Sequence, residues 1–242
     1  MFKKYDSQRP RITVFGPWTE WTEWGTTNAR YMGHYSARTH LKELSIGNTG
    51  MARPCRVKSL LVEFNIKEDV TGHTQVKSSV QRAIRAKILE QYKEGIEGII
   101  DDVMPKKAPL ILMKCHEHIN LIVMNNEVLF FNHFDGHYYP TLKLLHKYPN
   151  MLPRLQVDRG AIKFVMAGAN IMCPGLTSKG ARMDVPVPAD SVVAITAEGK
   201  NEILAVGTTK MSTDDIKRIN KNIGVETVHY LNDCLWKTVV DL

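Results

Sequence analysis

The stretch Gly168-Ala-Asn-Ile-Met-Cys-Pro-Gly175 constrains the fold of this chain more than any other. Before it, the spacing of Ile162, Val165 and Met166 predicts a helix from Asp158 as N-cap to about residue 167, and Gly168 frees the backbone to leave it. Residues 170–173 are apolar enough to pair in a sheet, and Pro174-Gly175 predicts a turn at the mouth of a barrel. A helix, an exit, a strand and a turn so close together leave no room for long elements. Further strand-like runs at 191–197, 202–208 and 227–231, separated by turns such as Glu198-Gly-Lys200, predict several short strands closing on themselves. A last helix starts at Ser212 with Asp215 as its capping partner and Met211 and Ile216 as a hydrophobic staple, and Gly224 is expected to terminate it.

The preceding residues predict a separate α+β unit. Ser78-x-x-Gln81 reads as a capping box ahead of Val80, Ala83, Ile84, Ile88 and Tyr92 at helical spacing, with Gly95 as the stop and a short second helix over 96–104. After the Pro105-Lys-Lys loop the pattern changes to strands at 110–114, 118–124 and 127–134, the last two joined by an Asn125-Asn126 hairpin turn. Pro140 and Pro149 bracket a short helix over 141–148, and the domain boundary belongs at 149–153. The fold class is α+β, with a small N-terminal domain over 64–150, a barrel-like domain over 151–232 and a tail over 233–242.

Residues 6–63 read differently, because turn-formers interrupt every short apolar run and Trp18, Trp21 and Trp24 stand in a W-T-E-W-T-E-W repeat. Such low complexity cannot easily build a core, so 1–63 is expected to be poorly ordered, with 56–64 the best candidate for a strand.

The net charge of +7 suggests an acidic partner, but its distribution is uneven. Residues 1–63 hold ten Lys/Arg against five Asp/Glu, and the remainder 22 against 20. Within that remainder, 141–182 carries seven basic side chains against Asp158 alone, a local +6. Arg159 and Lys163, one helical turn apart, are expected to reach one phosphate backbone, with Lys179 and Arg182 extending the surface. Four separated cysteines without a C-x-x-C pair fit reduced thiols, and no apolar run is long enough for a membrane span, so a soluble cytoplasmic protein is expected.

No catalytic constellation assembles along the chain. On a strand, His116 and His118 would face away from Cys115 and Glu117, and the spacing is not that of a zinc-binding H-E-x-x-H helix. Asp101-Asp102 reads as solvated charge, and Gly175-Leu-Thr-Ser-Lys-Gly180 lacks the Gly-Lys-Ser/Thr ending of a phosphate loop. No enzyme activity, metal or cofactor is expected.

Asp158-Arg-Gly-Ala161 followed by the Gly168–Gly175 segment resembles the signature of the PUA domain, which binds structured RNA beside this helix. From Phe64 onward the chain resembles the malignant T-cell-amplified sequence family. The resemblance rests on Met104-Pro-Lys-Lys107, Cys115-His-Glu-His118, Tyr139-Pro-Thr-Leu142, Leu144-Leu-His-Lys-Tyr-Pro149, Gly160-Ala-Ile-Lys-Phe-Val165 and His229-Tyr-Leu-Asn-Asp233. It implies a PUA pseudo-barrel in a non-enzymatic translation factor that pairs with density-regulated protein on the small ribosomal subunit. Such a factor acts in reinitiation, unconventional initiation and recycling, where deacylated tRNA is released, and touches ribosomal RNA and tRNA. The expected RNA-binding residues are Arg159, Lys163, Asn170, Pro174, Gly175, Lys179 and Arg182.

The departure is at the front, where Met1-Phe-Lys-Lys-Tyr5 matches the family's start and Phe64 matches it again, so residues 6–63 read as an insertion from an alternative exon, a retained intron or a gene-model error. Two other readings stand beside the main one. An RNA-modification enzyme or its accessory subunit would need a larger catalytic domain than 64–150 provides, and a protein-only adaptor would have lost RNA binding.

Overall fold

Two five-stranded sheets organise the residues described by the computed structural model, which are 64–240 apart from residue 135. The expectations for residues 1–63 lie outside the described residues. In the first lobe a helical turn, α1 (Ile66–Asp69), leads into edge strand β1 (Val70–Gln75) and then helix α2 (Ser78–Gln91). Ile84, Ile88 and Tyr92 are buried, whereas Val80 and Ala83 are exposed, so the buried stripe starts later than the spacing predicts. The expected capping box does not form. Lys77 is the N-cap without a side-chain bond, and Gln81 is buried and donates to the Pro105 and Ala108 carbonyls at 3.3 and 3.1 Å. A buried amide must be satisfied, and these loop carbonyls take it away from the helix terminus.

Gly95 is not a helix stop. The single helix expected over 96–104 is replaced by two short turns, α3 (Lys93–Ile96), which contains Gly95, and α4 (Ile100–Val103). A Cβ on Gly95 would lie 2.0 Å from the Met151 carbonyl oxygen, so glycine is required where two backbones meet. Arg85, buried on α2, donates to the Ile100 carbonyl at 3.2 Å, to the Met104 carbonyl at the end of α4, and to Asp101 at 2.6 Å, so its buried guanidinium is satisfied while it ties α2 to α4.

The sheet continues through β2 (Ile111–Cys115), β3 (Ile119–Met124), β4 (Glu127–His133) and β5 (Tyr139–Pro140), paired antiparallel in sequence order. Asn125 and Asn126, at φ 50° and 60°, form the expected two-residue hairpin turn. His116–His118 is not strand, as expected, but a 3-10 turn that reverses the chain between β2 and β3, with Glu117 and His118 at φ 54° and 59°. Helix α5 (Leu142–Lys147) follows, capped by the Thr141 hydroxyl, which accepts from the Leu144 N–H.

The second lobe runs β6 (Arg154–Val157), α6 (Ile162–Met166), β7 (Ile171–Met172), α7 (Cys173–Thr177), β8 (Val192–Ala197), β9 (Ile203–Thr209), α8 (Thr213–Ile219), β10 (Ile223–Tyr230) and α9 (Cys234–Lys237). Its sheet order is β6-β8-β9-β10-β7, with only β6 and β8 parallel. Strands β8, β9 and β10 are buried along nearly their whole length and form the floor of the core.

Three local expectations change. Asp158 caps a turn rather than the helix: its carboxylate accepts from the Ala161 N–H at 2.9 Å, and α6 begins only at Ile162. Pro174-Gly175 lies in the first turn of α7 instead of forming a turn, because a proline there forfeits no helical hydrogen bond. Gly224 is a strand residue of β10, and Asn220, at φ 46°, ends α8 instead. Gly168 leaves α6 at φ 77° as predicted, and Ser212 accepts from the Asp215 N–H at 3.1 Å.

The lobes are joined by side chains. Tyr139 Oη and Thr208 Oγ1 are 3.2 Å apart, His146 Nε2 is 2.8 Å from the Ile203 carbonyl oxygen, and Phe131 lies edge-on to His229 at 5.9 Å. Residues 233–240 pack back onto the first lobe: Lys143 Nζ donates to the Thr238 carbonyl at 2.7 Å and Trp236 meets His146 edge-on at 5.4 Å. Desolvation holds the Lys143 ammonium below its usual range despite the opposing Glu127 charge. Among the described residues, no helix is long and apolar enough to cross a membrane.

Candidate nucleic-acid interface

Helix α7 is the centre of the interface because two distant segments are tied to it. On one flank the Asp158 N–H donates to the Gly175 carbonyl at 3.1 Å, and a Cβ on Gly175 would stand 3.5 Å from that of Ala161. On the other, the Thr177 hydroxyl donates to the Asn220 side chain at 2.6 Å, the Cys173 N–H to the Asn222 carbonyl at 3.0 Å, and the Cys173 thiol to the Lys221 carbonyl at 3.0 Å. The turn bearing Arg159 and the loop bearing Lys221 therefore border the same short helix.

Arg159 does not sit on the helical face with Lys163, as its spacing suggests, because it precedes α6 in the turn that Asp158 caps. Its N–H donates to Glu198 Oε2 at 3.3 Å. A Cβ on Gly180 would fall 2.4 Å from the same carboxylate, so Glu198 draws together the turns that carry Arg159 and Lys179. Both side chains are exposed, as is Pro174. Lys163 extends from α6 with its ammonium 4.9 Å from the centre of the Phe164 ring. Arg159, Lys163, Pro174, Gly175 and Lys179 are thus gathered around α6 and α7.

Asn170 and Arg182 are placed differently. The Asn170 side chain is half-buried and accepts from the Thr227 N–H at 3.3 Å, which fixes β7 against β10. Arg182 exchanges backbone hydrogen bonds with Gln156, and its guanidinium pairs with Asp184 at 3.0 Å on the wall of an open groove of about 990 Å3 between the lobes.

Electrostatics supply what the linear reading missed. Residues 159–183 contain Arg159, Lys163, Lys179 and Arg182 and no acid, and residues 216–225 contain Lys217, Arg218 and Lys221 and no acid. The two runs are brought together by the β7–β10 pairing and by the bonds from α7 to residues 220–222. Arg218 is tied to Asp215 at 2.5 Å, and this bond, with that from Ser212, holds the Asp215 carboxyl below its usual range. Lys217 and Lys221 are exposed and extend the basic rim. The acid-free composition of 216–225 is the signal by which sequence could have found them.

His118 stacks on Phe134 at 4.5 Å, and among the described residues no group of three or more His, Cys, Asp or Glu could hold a metal ion. The Cys115 thiol is pushed up to about 12, first by burial and then by Asp69, the opposite of what a nucleophile needs.

An antiparallel lobe carrying α2, followed by a pseudo-barrel in which α6, β7 and α7 succeed one another across a Gly exit, defines the class of PUA-domain proteins with a pre-PUA lobe. The Pre-PUA-like domain family matches residues 64–149 and the PUA domain family residues 153–231. Among solved structures, a hypothetical protein from Pyrococcus horikoshii OT3 superposes with a TM-score of 0.55 at 21% identity, covering 69% of this chain and 98% of that one. A PUA domain from Aeropyrum pernix K1 gives 0.55 at 21%, covering 68% and 89%.

Relatives lie much nearer in sequence. The malignant T-cell-amplified sequence 1 homolog of Dictyostelium discoideum is 55% identical over 174 residues, 72% of this chain and 95% of the relative. Malignant T-cell-amplified sequence 1 of Rattus norvegicus is 54% identical over 173 residues, 72% and 94%. Translation machinery-associated protein 20 of Schizosaccharomyces pombe is 47% identical over 178 residues, 74% and 98%. The chain belongs to the malignant T-cell-amplified sequence family.

Proposed function

We propose that the protein is a non-enzymatic translation factor of the cytoplasm that binds RNA through the rim around α6 and α7. The observation that carries this reading is the convergence of two acid-free basic runs, 159–183 and 216–225, on one short helix of a PUA domain. Exposed cations gathered on one surface favour a phosphate backbone, since each contact releases condensed counterions. The name of the fission-yeast relative, translation machinery-associated protein 20, supports the setting. In the finer form of the proposal, the pre-PUA lobe docks density-regulated protein, and the pair acts on the small ribosomal subunit in reinitiation, unconventional initiation and recycling. There the rim touches ribosomal RNA and deacylated tRNA.

Arg159, Lys163 and Lys179 are the phosphate contacts in this scheme, Pro174 and Gly175 give the backbone close approach, Arg182 extends the contact toward the groove, and Asn170 positions β7 beneath them. A filter-binding titration of the Arg159→Glu/Lys163→Glu double variant against small-subunit RNA tests it. A loss of roughly tenfold or more at moderate salt is expected, and an unchanged affinity would reject these positions.

A further inference from the structure

Glu198 brings a carboxylate into the basic rim from the turn between β8 and β9. Its own N–H donates to the Val157 carbonyl at 3.0 Å, which seats it beside the turn that Asp158 caps. The half-buried carboxylate then touches two segments at once. Its Oε2 accepts from the Arg159 N–H at 3.3 Å. It also lies against Gly180, at φ 96°, where a Cβ would stand 2.4 Å from Cδ and Oε2 and 2.8 Å from Oε1. The Gln156 side chain donates to the Gly180 carbonyl at 2.7 Å and keeps that glycine in place. The carboxylate thus meets Arg159 through its backbone N–H, while the guanidinium extends past Gly199, whose added Cβ would stand 3.7 Å from Nη2. Among the described residues, neither the Arg159 guanidinium nor the Lys179 ammonium is held in an ion pair. By charge alone, an acid at this place should repel RNA.

We propose that Glu198 is a positioning residue of the rim, fixing the turns of Arg159 and Lys179 at one spacing so that both cations meet phosphates of the same RNA. This rests on the RNA-binding reading above and adds to it a residue that touches no RNA. The two turns belong to different connections, one before α6 and one after α7, so their spacing is not set within either. A ligand that had to order them itself would bind more weakly by the entropy of that ordering. A carboxylate makes a strong link to a backbone N–H, and half-burial protects that link from solvent. Because the acceptor is engaged by the backbone, the guanidinium stays available to a phosphate. Glu198 therefore strengthens the binding of a polyanion despite its own sign.

The test uses the full chain and labelled small-subunit RNA, with affinity read across a salt series and thermal melting run on every variant. Glu198→Ala removes a negative charge, yet it is expected to weaken binding about fivefold and to lower the slope of log affinity against log salt by about one. Glu198→Gln, whose amide oxygen still accepts from the Arg159 N–H, should bind at least as tightly as wild type. Glu198→Asp keeps the charge and shortens the reach, so it should weaken binding severalfold, and it decides the matter if Glu198→Ala does not fold. In an Arg159→Ala/Lys179→Ala background, Glu198→Ala should weaken binding no further, because the residue acts through those two cations. Tighter binding by Glu198→Ala, wild-type affinity for Glu198→Asp, or an equal loss with and without the two cations would overturn the positioning role and leave the RNA-binding reading intact. Failure of wild type to bind the RNA would overturn both.

Discussion

His229 Nδ1 and Asp233 Oδ2 lie 2.6 Å apart with their side chains 1% and 0% exposed, joining the last strand to the final helix inside the protein. The same carboxylate also accepts from the Tyr230 N–H at 3.1 Å and the Trp236 N–H at 2.8 Å, so one aspartate satisfies three donors where water cannot reach. Asp233→Ala should cost about 3 kcal/mol, because it strands buried donors. Asp233→Asn should recover only part of that, since its amide can serve Trp236 but points a donor toward Tyr230 or His229. Urea midpoints of the three proteins measure this, and a midpoint for Asp233→Ala equal to wild type would remove the dyad from the stability account.

Gly95→Ala is expected to be more damaging than any surface change in the same segment. The added methyl would meet the Met151 carbonyl oxygen at 2.0 Å, and a backbone atom cannot rotate away as a side chain can. A loss of about 3 kcal/mol or more is expected. Gly98→Ala, where nothing lies within 4 Å, should change stability little, and a thermal melt of both variants makes the comparison.

The Cys115 thiol should resist alkylation in the native protein at pH 8. With its folded value near 12 against an ordinary 9.0, the thiolate fraction falls by about a thousandfold, and burial blocks access as well. The sign of the linkage follows: because the folded value is raised, the stabilisation is complete below pH 9 and is lost as pH climbs from about 9 toward 12. Quantified iodoacetamide labelling with and without urea checks the first statement. A Cys115→Ala variant whose alkaline stability profile has the same slope as wild type would refute the second.

Lys221 should contribute to RNA binding as much as Lys163, although 58 residues separate them in the chain. Lys221→Glu is expected to weaken binding across RNA sequences and to lower the slope of log affinity against log salt by about one. Lys87→Glu is the comparison: it is exposed on α2 of the first lobe and should leave the slope nearly unchanged.

The α+β class and the hairpin at Asn125-Asn126 were legible in the residues, because each is set by local spacing or by side chains that tolerate left-handed backbone. The helix exit at Gly168 and the Ser212 cap were legible for the same reason. Local rules misread Gln81, Gly95 and Gly224, whose roles are fixed by Pro105 and Ala108, by Met151, and by the pairing of β10, all contacts from other parts of the chain.

The candidate site divides in the same way. By itself the sequence determined that a basic stretch accompanies the Gly168–Gly175 segment, since charge and composition need no fold to be counted. Only the tertiary structure decided that Arg159 leaves the helix, that Asn170 is occupied by β10, that Lys217 and Lys221 join the rim, and that Phe164 faces outward. The physical reason is that a binding surface is made of residues that share a neighbourhood, and here the neighbourhood is created by the β7–β10 pairing and the hydrogen bonds from α7 to residues 220–222, none of which is local in the chain.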